Sequence, residues 1–425
     1  MLAIGLQKLA RQGKNLTKFT LMKVFGQAVF LGVPLILAKF VSPEKFGSYS
    51  LSMMIVYLLT TIMLHSVRIP FIKYANEDLK RTGKINKVFS VDLLFWLISI
   101  GIFTIVFLVF SSPLETFAAI DGQELVFLFL ALIGISVRIF YDGLFLALNR
   151  RLANARFWLG MGIGSIIYIT LAYFSYGITV NSVFLMFFIM PPIVFFFVFK
   201  KSDYAKLGPW EIEHRYIKKM WDFAAWVAVG GAAVYLLNWG DNIVLRATLS
   251  LEDVGIYNLA YQLFKGAIVL TGFLDGYFLP FLSQNLNNRQ KINEYIYKKR
   301  PILIIIGIIG ISILALTIPP LINLIYGQAY DLAGTAIYFL FIGLGFSFYK
   351  QLYDPLFNAL ERYKFVQITN IILVIFNLTM DYILVICWHN ILAAAVATMF
   401  TYILMAVAYE IYYQLRCKKN ILSIN

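Results

Sequence analysis

Charged residues are scarce in this chain. Asp, Glu, Lys and Arg make up 14% of the 425 residues and hydrophobic residues make up 60%, whereas an ordinary soluble domain has about 25% charged residues. A membrane-spanning helix needs about 20 mostly apolar residues. Stretches of that kind follow one another, with short polar gaps, from about residue 19 to residue 414. The composition therefore predicts an all-α polytopic membrane protein.

Cysteine and nucleotide-binding motifs are also lacking. The two cysteines, Cys387 and Cys417, fit neither a disulfide framework nor a metal-ligand spacing. No Gly-x-x-x-x-Gly-Lys-Ser/Thr motif occurs. We therefore expect no cofactor beyond a coupling ion, with transport energy drawn from an ion gradient or the membrane potential.

Twelve transmembrane helices are predicted from the apolar stretches and the turn residues between them. They lie at about 19–40, 46–70, 87–111, 123–149, 155–176, 179–199, 216–246, 254–283, 301–325, 331–360, 364–388 and 390–414. The predicted organisation is a basic leader (1–18), an amino-terminal six-helix half (19–200), a linker (201–215), a carboxy-terminal half (216–414) and a tail (415–425).

The basic residues predict the orientation of these helices. Of the 36 Lys and Arg residues, 28 fall on one side, in the leader, in the tail, or in the gaps after even-numbered helices together with the adjoining helix ends. By the positive-inside rule, both termini, the leader, the linker and the tail are cytoplasmic. The net charge of +14 then reflects topology and contact with anionic membrane lipids rather than nucleic-acid binding.

An internal repeat relates the two halves. Residues 42–51 match residues 250–259 at five of ten positions, and residues 141–150 match residues 353–362 at seven of ten. The offsets, 208 and 212, are nearly equal. An even number of helices separates the copies, so the halves share one orientation and are predicted to be related by a pseudo-two-fold axis along the membrane normal.

The Gly-x-Tyr elements of the repeat, at Gly47 to Tyr49 and at Gly255 to Tyr257, resemble those of Wzx-type polysaccharide or O-antigen flippases. These belong to the multidrug/oligosaccharidyl-lipid/polysaccharide (MOP) exporter superfamily. The resemblance implies alternating-access export of an undecaprenyl-pyrophosphate-linked oligosaccharide across the bacterial inner membrane. A polysaccharide polymerase is an expected partner.

Five basic residues fall inside the predicted helices, namely Lys23, Arg68, Arg138, Lys265 and Lys350. A charge in the bilayer needs a partner, a wet cavity or a function, so all five are candidates for binding the pyrophosphate. Arg138 precedes Asp142 by four residues, which predicts an ion pair on one helix face. Lys350 and Asp354 repeat that spacing.

The other three cations have no acid at that spacing. Lys265 lies well inside the eighth helix and is the best candidate for a cation facing the substrate, unless an acid on another helix pairs with it. Lys23 and Arg68 lie closer to the cytoplasmic surface, where they either reach the headgroups or bind the anion. We predict an asymmetric site in which Lys265 and Arg68 face the anion.

An ion-coupling site is predicted in the second half. Asn377 and Asp381 are four residues apart on the eleventh helix, and Asp241 and Thr398 lie at a similar depth on the seventh and twelfth. The set resembles the sodium site of lipid II flippases, so the resemblance implies sodium, with a proton as the alternative ion. The competing interpretation is that the two acids cap or pair near the outer interface.

Two other function classes compete with the flippase. A cation-coupled multidrug extruder of the same superfamily shares the helix count but needs an acidic or neutral cavity. A glycan polymerase or ligase usually needs a large outer loop, and the longest outer gap here, near residues 112–122, is short. No catalytic residue is predicted because no nucleophile, metal cluster or acid-base pair is suitably placed.

Overall fold

The computed structural model describes residues 2–271, 278, 281, 282, 285, 286, 288–360 and 362–417. These residues form helices and short connections, with no strand among them. The carboxyl-terminal end of the predicted helix 254–283 lies largely outside the described residues. The same is true of the tail beyond residue 417.

Twelve long helices account for most of the described chain. They are α1 (Leu2–Phe40), α2 (Pro43–Thr82), α3 (Asn86–Val109), α4 (Gly122–Ala147), α5 (Arg151–Ser175), α6 (Val180–Val198), α7 (His214–Thr248), α8 (Leu251–Thr271), α9 (Gln290–Tyr326), α10 (Gln328–Ala359), α11 (Lys364–Trp388) and α12 (Leu392–Cys417). Within the described residues, all but α8 are long and apolar enough to cross a membrane. The predicted all-α, twelve-helix architecture is confirmed.

Local sequence explains several helix ends. Asp121 accepts a hydrogen bond from the backbone N–H of Glu124 at 2.7 Å and starts α4 with a capping box. Thr179 and Ser182 do the same for α6. Gly83 ends α2 with a φ of 74°, a left-handed conformation that glycine adopts without strain.

Two helices are longer than the hydropathy pattern predicts. The backbone of α1 is helical from Leu2, through the predicted leader. Helix α2 continues to Thr82, twelve residues past the predicted end at residue 70. Its polar extension is stabilised by apolar packing, because Phe71 and Ala75 join a buried cluster with Val88 and Met220.

The described chain forms two compact units. Unit 1 comprises residues 1–41 and 51–232, and unit 2 comprises residues 42–50 and 233–425. The boundary falls inside α7 after Ala232, rather than in the linker. The linker belongs to unit 1, where Asp203 forms an ion pair with Arg150 at 3.2 Å.

In unit 2 the first repeated element packs against its own copy. A Cβ atom at Gly47 would overlap the backbone oxygen of Leu251, and one at Gly255 would overlap the backbone oxygen of Pro43. The amino-terminal ends of α2 and α8 therefore cross at backbone contact, which only small residues permit. This crossing explains why both copies of the motif carry glycine.

Candidate functional site

Asp142 on α4 is the centre of a polar cluster in unit 1. It forms an ion pair with Arg68 of α2 and accepts hydrogen bonds from Asn154 Nδ2 at 2.7 Å and Trp158 Nε1 at 2.6 Å, both on α5. Lys23 of α1 lies close enough to interact electrostatically with Asp142. Three helices thus contribute hydrogen-bond donors or positive charge to this one buried carboxylate.

The predicted ion pair between Arg138 and Asp142 is wrong. Asp142 is already satisfied by α2 and α5, so Arg138 turns to aromatic rings instead. Its guanidinium carbon lies 5.2 Å from the ring centroid of Trp158 and 5.9 Å from that of Phe30. Its Nε is buried without a hydrogen-bond partner, and no described acid lies within ion-pair distance.

In unit 2 the predicted pair between Lys350 and Asp354 is confirmed, with a Nζ to Oδ2 distance of 2.7 Å. Beside it lies a cluster that the sequence did not reveal. The Arg300 guanidinium stacks 3.6 Å from the Tyr353 ring centroid, and Glu410 accepts a hydrogen bond from Tyr349 at 2.5 Å. In the sequence, Arg300 looks like one more basic residue before a helix.

Lys265 of α8 lies in an aromatic cage. Its Nζ is 3.2 Å from the ring centroid of Trp239 and 4.4 Å from that of Tyr261. The Nζ is buried, has no hydrogen-bond partner and forms no ion pair among the described residues, while Asp241 lies close enough to interact with it electrostatically. Cation–π attraction offsets part of the cost of removing the ammonium from water but does not neutralise its charge. The cage was not predicted, although Tyr261 stands one helical turn before Lys265.

The four predicted ion-coupling residues are all buried in unit 2, and three are joined by direct interactions. Thr398 Oγ1 donates a hydrogen bond to Asp241 Oδ2 at 2.8 Å, and Asp381 interacts electrostatically with Asp241. Several of their polar atoms have no hydrogen-bond partner, namely Asp241 Oδ1, both carboxylate oxygens of Asp381, and Nδ2 and Oδ1 of Asn377. Buried polar atoms are rarely left without partners.

Tyr257 adds a contact to this cluster that the sequence did not identify. Its hydroxyl donates a hydrogen bond to Asp241 Oδ2, so Oδ1 of that carboxylate remains open. The Tyr257 ring stacks on Tyr261 with centroids 5.6 Å apart. The second copy of the Gly-x-Tyr motif therefore places its tyrosine on the predicted ion-coupling residues.

The chemistry of this cluster suits a hard monovalent cation. Carboxylate, amide and hydroxyl oxygens are the ligands that such ions prefer. No group of three or more His, Cys, Asp or Glu side chains able to hold a metal occurs in the described part of the chain. The unpartnered oxygens of Asp241, Asn377 and Asp381 would hold a sodium ion, with Thr398 close by.

Comparison with known proteins agrees with this architecture. Residues 13–285 match the profile of a family described as polysaccharide biosynthesis protein. No curated protein matches the chain in sequence.

Several solved structures share the fold. The lipid II flippase MurJ, in an inward closed conformation, has a TM-score of 0.75 at 15% identity over 96% of this chain and 90% of that one. An inward-facing multidrug resistance MATE transporter of the MOP superfamily has a TM-score of 0.73 at 13% identity over 95% of both chains. The MATE transporter VcmN of Vibrio cholerae, in a bent form, has a TM-score of 0.68 at 12% identity over 98% of both.

Proposed function

Because the chain belongs to the polysaccharide biosynthesis protein family, we propose that it is a flippase. It moves an undecaprenyl-pyrophosphate-linked oligosaccharide repeat unit, such as an O-antigen or capsule unit, from the inner to the outer leaflet by alternating access. The proposed location is the bacterial inner membrane, with both termini cytoplasmic. A polysaccharide polymerase is the proposed user of the exported unit.

The observation that carries this proposal is Lys265. A buried cation that forms no hydrogen bond or ion pair is costly, and an anionic ligand lowers that cost. A pyrophosphate supplies the required charge and can accept hydrogen bonds from all three ammonium hydrogens. The aromatic cage of Trp239 and Tyr261 leaves those hydrogens without a protein acceptor.

In unit 1, Arg138 corresponds to Lys265, because it also lies against aromatic rings and forms no ion pair with a described acid. Of the internal cations predicted from the sequence, Arg68 and Lys350 form ion pairs with acids, whereas Arg138 and Lys265 rest on aromatic rings. We therefore assign anion binding first to Arg138 and Lys265. Arg68 was expected to face the anion directly, but its ion pair with Asp142 favours a supporting role, and Lys350 has the same role beside Asp354.

The coupling ion of the proposal is sodium at Asp241, Asn377, Asp381 and Thr398. The unpartnered oxygens support this assignment. When bound, the ion would offset one of the two negative charges of these neighbouring carboxylates. The residues of α7, α11 and α12 would orient these oxygens, and Tyr257 would fix the side of Asp241 that faces away from the ion.

The test is transport by the purified protein in proteoliposomes, with a fluorescent undecaprenyl-pyrophosphate-linked glycan as substrate. We expect Lys265→Gln to reduce flipping at least tenfold and Lys265→Arg to retain part of it, since arginine keeps the charge. Lys80→Gln, at an exposed position on α2, is the matched control and should transport normally. Normal flipping by Lys265→Gln would overturn the site assignment.

The same vesicles separate the flippase from the multidrug extruder. An extruder of cationic dyes should gain from losing Lys265, because an internal positive charge repels its substrate. Dye export by the wild-type protein, with no flipping of the lipid-linked glycan, would overturn the proposed function itself.

A further inference from the structure

A small cavity lies inside unit 1 between α2, α3 and α4. It has room for about one water molecule. Its walls are mostly apolar, with Phe71 and Phe140 among them. Three lining residues carry polar groups, namely Arg68, Asp92 and Trp96.

Asp92 is a buried acid without a partner. It is 7% exposed and lies six residues into α3, a helix of mean hydropathy 2.4. No hydrogen bond or ion pair joins its side chain to any described residue. Asp78 at the end of α2 is equally buried, at 6%, but accepts hydrogen bonds from Tyr216 at 2.7 Å and Arg81 at 3.1 Å. Burial by itself therefore does not explain why Asp92 has no partner, since an equally buried acid of the same unit has two.

Two hydrogen-bond donors share the cavity with Asp92. Trp96 Nε1 and Arg68 Nε are both buried and both lack an acceptor. A single water in the cavity could accept from these donors and hydrogen-bond to Asp92, which gives it the two to four partners that a buried water needs. The cavity thus offers Asp92 a hydrogen-bond partner that carries no charge.

Among the described residues, Arg68 is the one charged side chain that lines the cavity with Asp92. From α2 only Arg68 lines the cavity, and its Nη2 is held by Asp142, whereas His65 is not among the lining residues. From α4 the lining residues are uncharged. On α3 itself, Lys87 is bound to Glu211 and Glu213 at 3.2 and 3.0 Å, and α7 reaches this region with the Trp221 ring, stacked on Phe95.

We propose that Asp92 is a proton-binding site of the amino-terminal unit, separate from the sodium site proposed in unit 2. An ionised carboxylate in apolar surroundings without a partner is far more costly than the neutral acid. The proton resides on one carboxylate oxygen of Asp92, and the other oxygen accepts a hydrogen bond from the cavity water. When the proton is released to bulk water, Asp92 becomes a second carboxylate near Arg68 and competes with Asp142 for the guanidinium.

Protonation of Asp92 would in this way affect the polar cluster around Asp142 in unit 1. Arg68 is the one residue that belongs both to the cavity and to the Asp142 cluster. Movement of Arg68 toward Asp92 would release Asp142, which lies four residues from Arg138. Proton binding in unit 1 can therefore bias the cation to which we assign substrate binding, without any contact between the proton and the substrate.

Infrared spectroscopy of the full-length protein in nanodiscs tests the proposal directly, because a protonated carboxyl has its own carbonyl-stretch band. We expect Asp92→Asn to remove intensity from that band at neutral pH. Asp78→Asn is the matched control, since Asp78 is equally buried but is paired with Arg81 and Tyr216, and it should leave the band unchanged. An identical band in wild type and Asp92→Asn would overturn the proposal.

A second variant covers the case in which Asp92→Asn folds poorly. Asp92→Glu keeps the carboxyl but moves it by one methylene group, so the band should persist at a shifted frequency. An unshifted band in Asp92→Glu would mean that the protonated group lies elsewhere. Both measurements read the proton itself, so they stand whether or not the chain flips a lipid-linked glycan.

Discussion

At the scale of single residues, the two units treat equivalent acids differently. Asp142 and Asp354 occupy the same position of the repeat, but their side chains are 4% and 18% exposed. Asp142 binds groups from two other helices, whereas Asp354 binds the lysine one turn earlier. Replacing the two acids should therefore lower the free energy of unfolding by different amounts.

Asp142→Asn should destabilise the protein by about 3–5 kcal/mol, because it leaves the Arg68 charge without its buried partner. Asp354→Asn is the matched variant and should cost less, about 0–1 kcal/mol, since its pair is local and Asp354 itself is more exposed than Asp142. Thermal unfolding in detergent compares the two. Equal losses would contradict the different partnering of the two acids.

Tyr257 is expected to position the proposed sodium ligand Asp241. Loss of a residue that orients a metal ligand typically lowers metal affinity 10–100-fold. Tyr257→Phe should therefore need about 10–100-fold more sodium than the wild type for the same rise in unfolding temperature. Tyr261→Phe is the control, because the Tyr261 hydroxyl has no hydrogen-bond partner. An unchanged sodium response in Tyr257→Phe would exclude the positioning role.

At the scale of helices, local backbone geometry decides which side chains meet. Residues Thr61–His65 of α2 form a π-helical turn just before Arg68. A π-turn inserts one residue, which rotates the following face of the helix by about 100°. Hydropathy does not reveal such a turn. The partner of Arg68 therefore could not be read from its spacing to neighbouring acids.

The crossing of α2 and α8 allows a prediction for its glycines. Gly255→Ala places a Cβ atom against the backbone of α2 and should cost about 1–3 kcal/mol through overpacking. Gly266→Ala on the same helix meets no atom within 4 Å. It should be neutral or stabilising by up to about 1 kcal/mol. Thermal unfolding of both variants tests the crossing, and equal stability would refute it.

At the scale of the whole molecule, charge decides the expected orientation. The loop at Gly177, between α5 and α6, contains no basic residue, whereas the segment around Gly208 carries several. Alkaline phosphatase fused after Gly177 should be active outside the cytoplasm, and the same enzyme fused after Gly208 should be inactive. The reverse pattern would invert the proposed topology and with it the direction of lipid transport.

The sequence by itself determined the helix count, the repeat and the candidate residues. Long apolar stretches and scarce charge are properties of the chain that do not depend on which residues contact one another in the fold. The i, i+4 pair of Lys350 and Asp354 was predictable for the same reason, because one helix contains both partners. The sequence also identified the candidates Asp241, Asn377 and Asp381, because acids and amides are conspicuous in apolar helices.

Only the tertiary structure decided which charges are neutralised. Arg68 forms an ion pair with Asp142 of another helix, and Arg138 contacts the Trp158 ring instead. The sequence did not identify Asp92 as a candidate residue. A buried ion pair or cage joins residues far apart in the chain, and its free energy depends on distances of a few ångströms. Those distances are set by helix packing, so no spacing along the sequence encodes them.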